Sequence, residues 1–376
     1  MSLSKQSLER YSRQIVLSEI GVAGQERLLS STVLVVGAGG LGAAVLPYLI
    51  GAGVGRVRIM DGDCLQLSNL QRQILYREED VGKNKAEAAL WRLTGLNSEV
   101  VLEAVSEHLS VQNAASYVSG CDVVIDCSDN FGTRYLVNDI CAEHEIPFVS
   151  ASILRSEGQI AAFLPGKSNY RDLFPEPPSS KNSPRCAEAG VLGAVAGVLG
   201  AWQAAFAVQV LLKQASGEDL LLVNLASHST VTVALPQLSD PKSRVRLQSQ
   251  AEYDQLNEFC SIVSDEMPVR EISVRDLRAI LMQADASVCL VDVREPFEKE
   301  MADLGGVLIP LAQLHERVFE IPRDQKVVVY CQSGGRSAKA IQCLQEQYGY
   351  TNLQNLRGGM LAWSAEINAS PPSREI

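Results

Sequence analysis

Along the first half of the chain, short β-branched apolar runs alternate with segments whose apolar residues recur at helical spacing. Residues 32–36 (TVLVV) predict a buried strand that enters a glycine loop, and the small apolar residues through Ile50 predict a helix behind it. Residues 57–60 (VRIM) predict a second strand ending at Asp61, 86–93 a helix, 100–104 a strand, 122–126 (DVVID) another strand and 135–144 a helix. Strands alternating with helices at this spacing predict a parallel sheet covered on both faces. Residues 167–184 are rich in Ser and Pro without periodicity and predict a long crossover loop or lid. Between Pro236 and Pro268 the periodicity decays into a charged, Ser/Gln-rich stretch that predicts an interdomain linker. A second α/β pattern follows, with helices at 274–282 and 337–345 and strands at 289–293 and 327–330. The expected organisation is an α/β domain over 1–235, a linker over 236–268 and a second α/β domain over 269–376, with no internal repeat.

A chain of 376 residues fits two to three domains at roughly 150 residues each. Its 46% hydrophobic and 20% charged content exclude disorder and collagen-like structure. The net charge of −11 disfavours nucleic acid as a main partner, although local basic residues can still hold a nucleotide. Nine scattered cysteines, an odd number, point to thiols in a reducing cytosol rather than a disulfide framework. The polar start MSLSKQSLERYSRQ carries no secretion signal, so a cytoplasmic location is expected. Residues 189–212 lack formal charge, but Gly190, Gly193, Gly197, Gly200 and Gln203 favour a helix packed inside a domain over a membrane span.

Candidate chemistry begins at Gly37-Ala38-Gly39-Gly40-Leu41-Gly42, between a predicted strand and helix. Such a loop turns tightly, approaches phosphates and ends on a helix N-terminus, and Asp61 closes the next strand where it can bond ribose hydroxyls. Arg72 and Lys85 add two cations suited to charge on a transferring phosphoryl group. Asp129, in Cys127-Ser128-Asp129-Asn130, is placed to hold Mg2+ against the phosphates. Hydride transfer needs none of these, so a nicotinamide dehydrogenase is disfavoured.

These residues resemble a family. Arg10-Tyr11-Ser12-Arg13-Gln14, GAGGLG, the Asp61–Asp63 segment, Ser68-Asn69-Leu70-Gln71-Arg72-Gln73, Lys85, CSDN and the run from Cys186 to Gly193 together look like the MoeB/ThiF enzymes over about residues 8–235. The resemblance implies a Rossmann-like domain that uses MgATP to adenylate the C-terminal glycine of a ubiquitin-like sulfur carrier. It implies Gly37, Gly39, Gly40 and Gly42 at the phosphates and Asp61 with Asp63 at the ribose end. Ser68 to Gln73 and Lys85 surround the triphosphate, and Asp129 with Asn130 takes the metal and nucleotide positions. It further implies a homodimer in which Arg13 reaches the partner subunit's ATP site.

Two cysteines stand apart. Cys186 lies where a helix dipole and Arg185 raise thiolate character, and the resemblance places a reactive cysteine there. Cys331 follows a strand and opens Cys331-Gln332-Ser333-Gly334-Gly335-Arg336-Ser337, a ring of backbone N–H groups that lowers a thiol pKa and suits a single sulfur atom. With Asp292-Val293-Arg294-Glu295 and Leu356-Arg357-Gly358-Gly359-Met360, it makes residues 269–370 resemble a rhodanese domain. Cys331, Cys186, Arg72, Lys85 and Arg336 are therefore the candidate catalytic residues. Cys64, Cys121, Cys127, Cys141, Cys289 and Cys343 are expected in the core.

One departure matters. MoeB/ThiF enzymes carry a structural zinc on two CxxC pairs, and here those positions fall on Asn169 and Asp172, then on Ser243 and Arg246. Four soft ligands are missing, so no zinc is expected. The resulting expectation is a bifunctional enzyme. The front domain adenylates a carrier ending in Gly-Gly, and Cys331 delivers sulfur from a donor such as a cysteine desulfurase or thiosulfate. Rival readings are an adenylating relative acting on a small molecule or a tRNA base, and a non-catalytic scaffold. Molybdopterin, thiamine, tRNA thiolation and secondary metabolism all remain open as the receiving pathway.

Overall fold

The β-branched runs become the strands of two sheets, one in each of two units, Met1–Ile262 and Val263–Ile376. The computed structural model describes residues 3–175, 190–236, 249–258, 269–282 and 288–369.

The first unit runs α1 (Lys5–Arg10), α2 (Ser12–Ile15), α3 (Gly21–Ser30), β1 (Thr32–Val36), α4 (Gly40–Ala52), β2 (Arg56–Met60), α5 (Lys85–Leu93), β3 (Val101–Val105) and α6 (Ala114–Val118). It continues with β4 (Val123–Asp126), α7 (Phe131–Glu143), β5 (Phe148–Leu154), β6 (Glu157–Phe163), α8 (Tyr170–Leu173), α9 (Gly193–Leu211), β7 (Asp219–Asn224), β8 (Ser229–Ala234) and α10 (Gln250–Glu258). Strand order is β3-β2-β1-β4-β5-β6-β7-β8, parallel from β3 to β5 and antiparallel beyond. Successive residues of β1 face opposite sides. Val33 and Val35 join the core under α4, α5 and α9, while Leu34 and Val36 join the core under α6 and α7.

The charge-free segment is α9, which packs on α4 so closely that a Cβ on Gly200 would lie 2.7 Å from Ala44 Cβ. Gln203, fully buried in it, donates to the carbonyls of Asp126 (2.6 Å) and Val149 (3.1 Å) and so pins the helix across the ends of β4 and β5. Two helices appear in segments expected to be a loop and a linker. α8 is a single turn inside the Ser/Pro-rich segment, and α10 lies inside the segment read as linker. Among the described side chains of α10, Tyr253 and Leu256 enter the core, too few apolar positions to announce a period.

The second unit runs β9 (Glu271–Ile272), α11 (Val274–Leu281), β10 (Val288–Asp292), α12 (Pro296–Met301), β11 (Val307–Leu308), β12 (Lys326–Tyr330), α13 (Gly335–Tyr348), β13 (Leu353–Leu356) and α14 (Gly359–Ala369). All five strands are parallel, in the order β11-β10-β12-β13-β9. In both sheets the chain reverses its direction of travel once, between β1 and β4 and between β10 and β12. Ligand crevices of open α/β sheets form at such points, outside the carboxyl ends of the strands. The glycine loop and the CSDN turn flank the first crevice, and Asp292 and Cys331 the second.

Candidate functional site

In the first crevice, β1 ends at Val36 and Gly37 turns the chain with φ 97°. A Cβ there would lie 2.8 Å from the Cys127 carbonyl oxygen, so only glycine lets the loop pass the end of β4. α4 then begins at Gly40 with no side-chain cap, leaving its first N–H groups for an anion. Asp61, at the end of β2, accepts from the N–H groups of Ala38 (2.8 Å) and Asp63 (2.9 Å). Burial pushes its pKa up, opposed by the Lys85 charge and these two amides. Lys85 is 8% exposed and pairs with Asp63 at 2.7 Å. Tyr76, which sequence reasoning missed, donates its phenol to the Ala38 carbonyl (2.6 Å) and lies 3.3 Å from that of Lys85. It therefore ties the glycine loop to the start of α5.

The SNLQRQ segment wraps the same helix end. Arg72 lays its stem beside Gly40, with Cγ 3.6 Å from where a Cβ would stand, and its guanidinium bonds the Ser68 carbonyl. Gln73 is buried beside Gly39, and its Oε1 has no hydrogen-bond partner. An orphaned acceptor beside an uncapped helix end fits a site shaped for a polar ligand. Asn69 uses its side-chain oxygen on the Gln66 N–H, and Leu70 packs on the core. The Gln71 carbonyl abuts Gly193 of α9, where a Cβ would come within 2.3 Å.

Asp129 is exposed, a carboxylate at the crevice that suits Mg2+. Asn130 uses its Oδ1 to cap α7 through the Thr133 N–H. The turn carrying both is held from below by Asp126, which accepts from the Ser128 N–H and hydroxyl, from Ser150 and from Arg134 Nε. Arg134 also donates to the Ser128 and Ala151 carbonyls. Asp126 and Arg134 are thus positioning residues that no motif signalled. Arg13 is not brought to this site. Its neighbour Gln14 is anchored to the Ala52 carbonyl, at the opposite end of α4 from the glycine loop, about 18 Å away at 1.5 Å per residue.

In the second unit, Cys331 follows β12 and is fully buried. Its Sγ accepts from the Gly334 N–H at 3.2 Å and from the Ser337 hydroxyl at 3.3 Å. That hydroxyl has a single proton and two other acceptors within reach, Asn355 Oδ1 at 2.7 Å and the Gly334 carbonyl at 3.1 Å. It can point away from a thiol and turn towards a thiolate or persulfide. Met360 N–H backs the Cys331 carbonyl at 2.9 Å, and a Cβ on Gly359 would strike that oxygen at 2.3 Å, which explains the glycine pair of the LRGGM segment. The guanidinium of Arg336 does not stand alone. It makes a two-pronged pair with Glu298, both contacts 2.6 Å. Arg294, buried against Asp292, donates to the Glu298 and Ala302 carbonyls and so fixes the helix that presents Glu298.

Ser337→Ala is expected to slow sulfur loading of Cys331 by thiosulfate about tenfold to a hundredfold, the loss of one charge-assisted hydrogen bond. Cyanide-trapped thiocyanate measures it.

The other thiols divide. Cys121, Cys127 and Cys141 are buried as expected; burial pushes Cys121 up to about 11, and Cys127 and Cys141 well above the ordinary thiol value. Cys289 and Cys343 are half-buried, and Cys64, expected in the core, is exposed because it follows the β2 strand end beside Asp63. Cys186 and Cys260 lie outside the described residues, as do Ser243 and Arg246. Asn169 and Asp172 form a reciprocal N-terminal cap on α8, each side chain accepting from the other's backbone N–H. An amide and a carboxylate so engaged do not fit a zinc pair. Among the described residues no group of three or more His, Cys, Asp or Glu is placed to hold a metal.

The ThiF family matches residues 11–247, and the rhodanese-like domain matches residues 273–366. The chain is 36% identical to a Mycobacterium tuberculosis protein described as probable adenylyltransferase/sulfurtransferase MoeZ, over 97% of this chain and 95% of that protein. It is 43% identical to the SAMP-activating enzyme E1 of Haloferax volcanii over 64% of this chain and 89% of that protein. A solved structure of PaaA superposes with a TM-score of 0.53 at 25% identity, covering 63% of this chain and 76% of that one.

Proposed function

This chain belongs to the ThiF family and carries a rhodanese-like domain behind it, and from that premise we propose how its residues divide the work of a bifunctional adenylyltransferase and sulfurtransferase. The first unit adenylates a ubiquitin-like sulfur carrier with ATP. A carrier carboxylate oxygen attacks the α-phosphorus, the bond to the β-phosphate oxygen breaks, and pyrophosphate leaves. Two anions must be brought together and their repulsion neutralised, which calls for positioning and cations rather than a side-chain nucleophile. The α4 N-terminus, Arg72 and Lys85 receive the phosphates, and Asp61 holds the ribose. Asp129 would hold Mg2+, which would supply positive charge to offset that of the phosphates.

Sulfur arrives as a persulfide on Cys331, supplied by a cysteine desulfurase or thiosulfate. Its terminal sulfur attacks the acyl carbon and AMP leaves, giving an acyl disulfide. The Cys186 thiolate attacks Cys331 Sγ, releases the carrier thiocarboxylate and leaves a Cys186–Cys331 disulfide for a thiol reductant.

The observation that carries this reading is the pair of donors on Cys331 Sγ, the Gly334 N–H and the Ser337 hydroxyl, on the same chain as a cation-flanked nucleotide crevice. ATP–pyrophosphate exchange stimulated by a carrier protein ending in Gly-Gly tests it. Stimulation by at least one such carrier is expected, and no stimulation by any overturns it.

The active form is a homodimer in which Arg13 serves the partner's site. Two observations support this: Arg13 sits at the far end of α4 from its own glycine loop, and α9 leaves an uncharged outer face with Val198 exposed. Arg13→Ala and Asp129→Ala should each lose exchange activity. Mixing them after subunit exchange should restore about a quarter of the wild-type rate, since half of the dimers then hold one complete site. Absence of any recovery contradicts the shared site.

A further inference from the structure

The position of the missing zinc pair is not idle in the fold. Arg171 stands inside the Asn169–Asp172 cap on α8 and donates from Nε (2.6 Å) and Nη2 (2.7 Å) to the two oxygens of Asp139 on α7. Tyr253 of α10 donates its phenol to the same carboxylate at 2.6 Å, and Asn138 Nδ2 adds a fourth donor at 2.9 Å. A carboxylate offers about four lone-pair sites, so Asp139 is saturated. One positive charge balances one negative; Asp139, Asn138 and Tyr253 are buried and the Arg171 side chain is 11% exposed. Satisfied networks of this kind in a low-dielectric setting rigidify what they join. Around it, the Tyr170 N–H donates to Asn138 Oδ1, the Tyr135 phenol to the Phe174 carbonyl, and the Arg171 guanidinium lies 4.6 Å above the Tyr135 ring. Ser168 donates to the Pro236 carbonyl, which follows β8.

We propose that Asp139, Arg171 and Tyr253 form a metal-free brace that joins the entry of the crossover segment to the chain beyond the sheet, the two segments a zinc ion joins in the family. Burial and the Asp139 charge push the Tyr253 phenol up, so it remains a donor throughout the physiological range. The brace bears on the nucleotide crevice through α7. The same helix is capped by Asn130 next to Asp129, and its Arg134 holds the turn that carries them.

The inference does not depend on the proposed catalytic roles, and its test reads stability and amide exchange in the full chain. Prolonged treatment with a zinc chelator is expected to leave the melting of the first unit unchanged. Asp139→Asn strands the Arg171 charge and should lower that melting on the order of 10 °C. Should that variant fail to fold, Tyr253→Phe keeps the test open: amides of Gln250–Glu258 should exchange at least tenfold faster, with those of β1 and β4 unchanged. A chelator-induced loss of stability that added zinc reverses would overturn the proposal. So would wild-type exchange and melting in Tyr253→Phe.

Discussion

Cys331→Ala is expected to abolish thiocarboxylate formation on the carrier, by a factor of a thousand or more, while ATP–pyrophosphate exchange continues at the wild-type rate. The factor follows from the chemistry: sulfur must be carried covalently, and no other atom in the loop can form a persulfide. The split follows from the architecture. Cys331 closes a parallel sheet with its own core, separate from the sheet that builds the nucleotide crevice. Replacing the buried CH2–SH side chain by a methyl group removes one heavy atom, the sulfur, from that core, a loss of about 1 kcal/mol that leaves the unit folded. The Gly334 N–H and Ser337 hydroxyl lose their sulfur acceptor, but Ser337 retains Asn355. Exchange falling in step with sulfur transfer would mean that Cys331 acts in adenylation, contrary to the division of labour argued above.

Lys85→Ala is expected to cost exchange a hundredfold to a thousandfold, mostly in kcat. Two effects add. The ammonium that would stabilise charge on the phosphates is lost, and its partner Asp63 keeps only His108, 3.6 Å from its other oxygen, to offset its carboxylate in the crevice. Double replacement, Lys85→Ala with Asp63→Asn, should recover part of the loss because it removes the added repulsion. Arg72→Ala should be milder, since among the described residues Arg72 bonds the Ser68 carbonyl and strands no carboxylate. Melting temperature separates this from misfolding, because Lys85 opens α5 and its backbone bonds persist in the variant. Single-variant activity within threefold of wild type contradicts the assignment of Lys85.

Much of this was legible in the chain because the responsible interactions are local. β1 announces itself by five β-branched or apolar residues, and the glycine loop is read directly because the turn, the helix start and the passage past Cys127 each exclude a side chain. The Cys331 loop is local in the same sense. What escaped is what depends on partners distant in sequence. Tyr76 and Ala38 are 38 positions apart, as are Arg336 and Glu298, and nothing near either residue signals the contact. Asp126 read as the end of a strand and became the anchor of the Asp129 turn. α10 has a local start signal that the sequence reading missed, Ser249 and Glu252 capping each other's backbone N–H, but its docking depends on Asp139, 114 positions from Tyr253. Cys64 read as core from its apolar neighbours, although it lies past the strand end where the chain has left the sheet.

The central claim is that one chain activates a carboxylate in its first unit and delivers sulfur to it from its second. The most direct measurement is intact mass of a Gly-Gly carrier after incubation with the protein, MgATP, thiosulfate and a thiol reductant. The account predicts exchange of one carrier oxygen for sulfur, dependent on both ATP and Cys331. A carrier that gains sulfur without ATP, or in the Cys331→Ala protein, would contradict it.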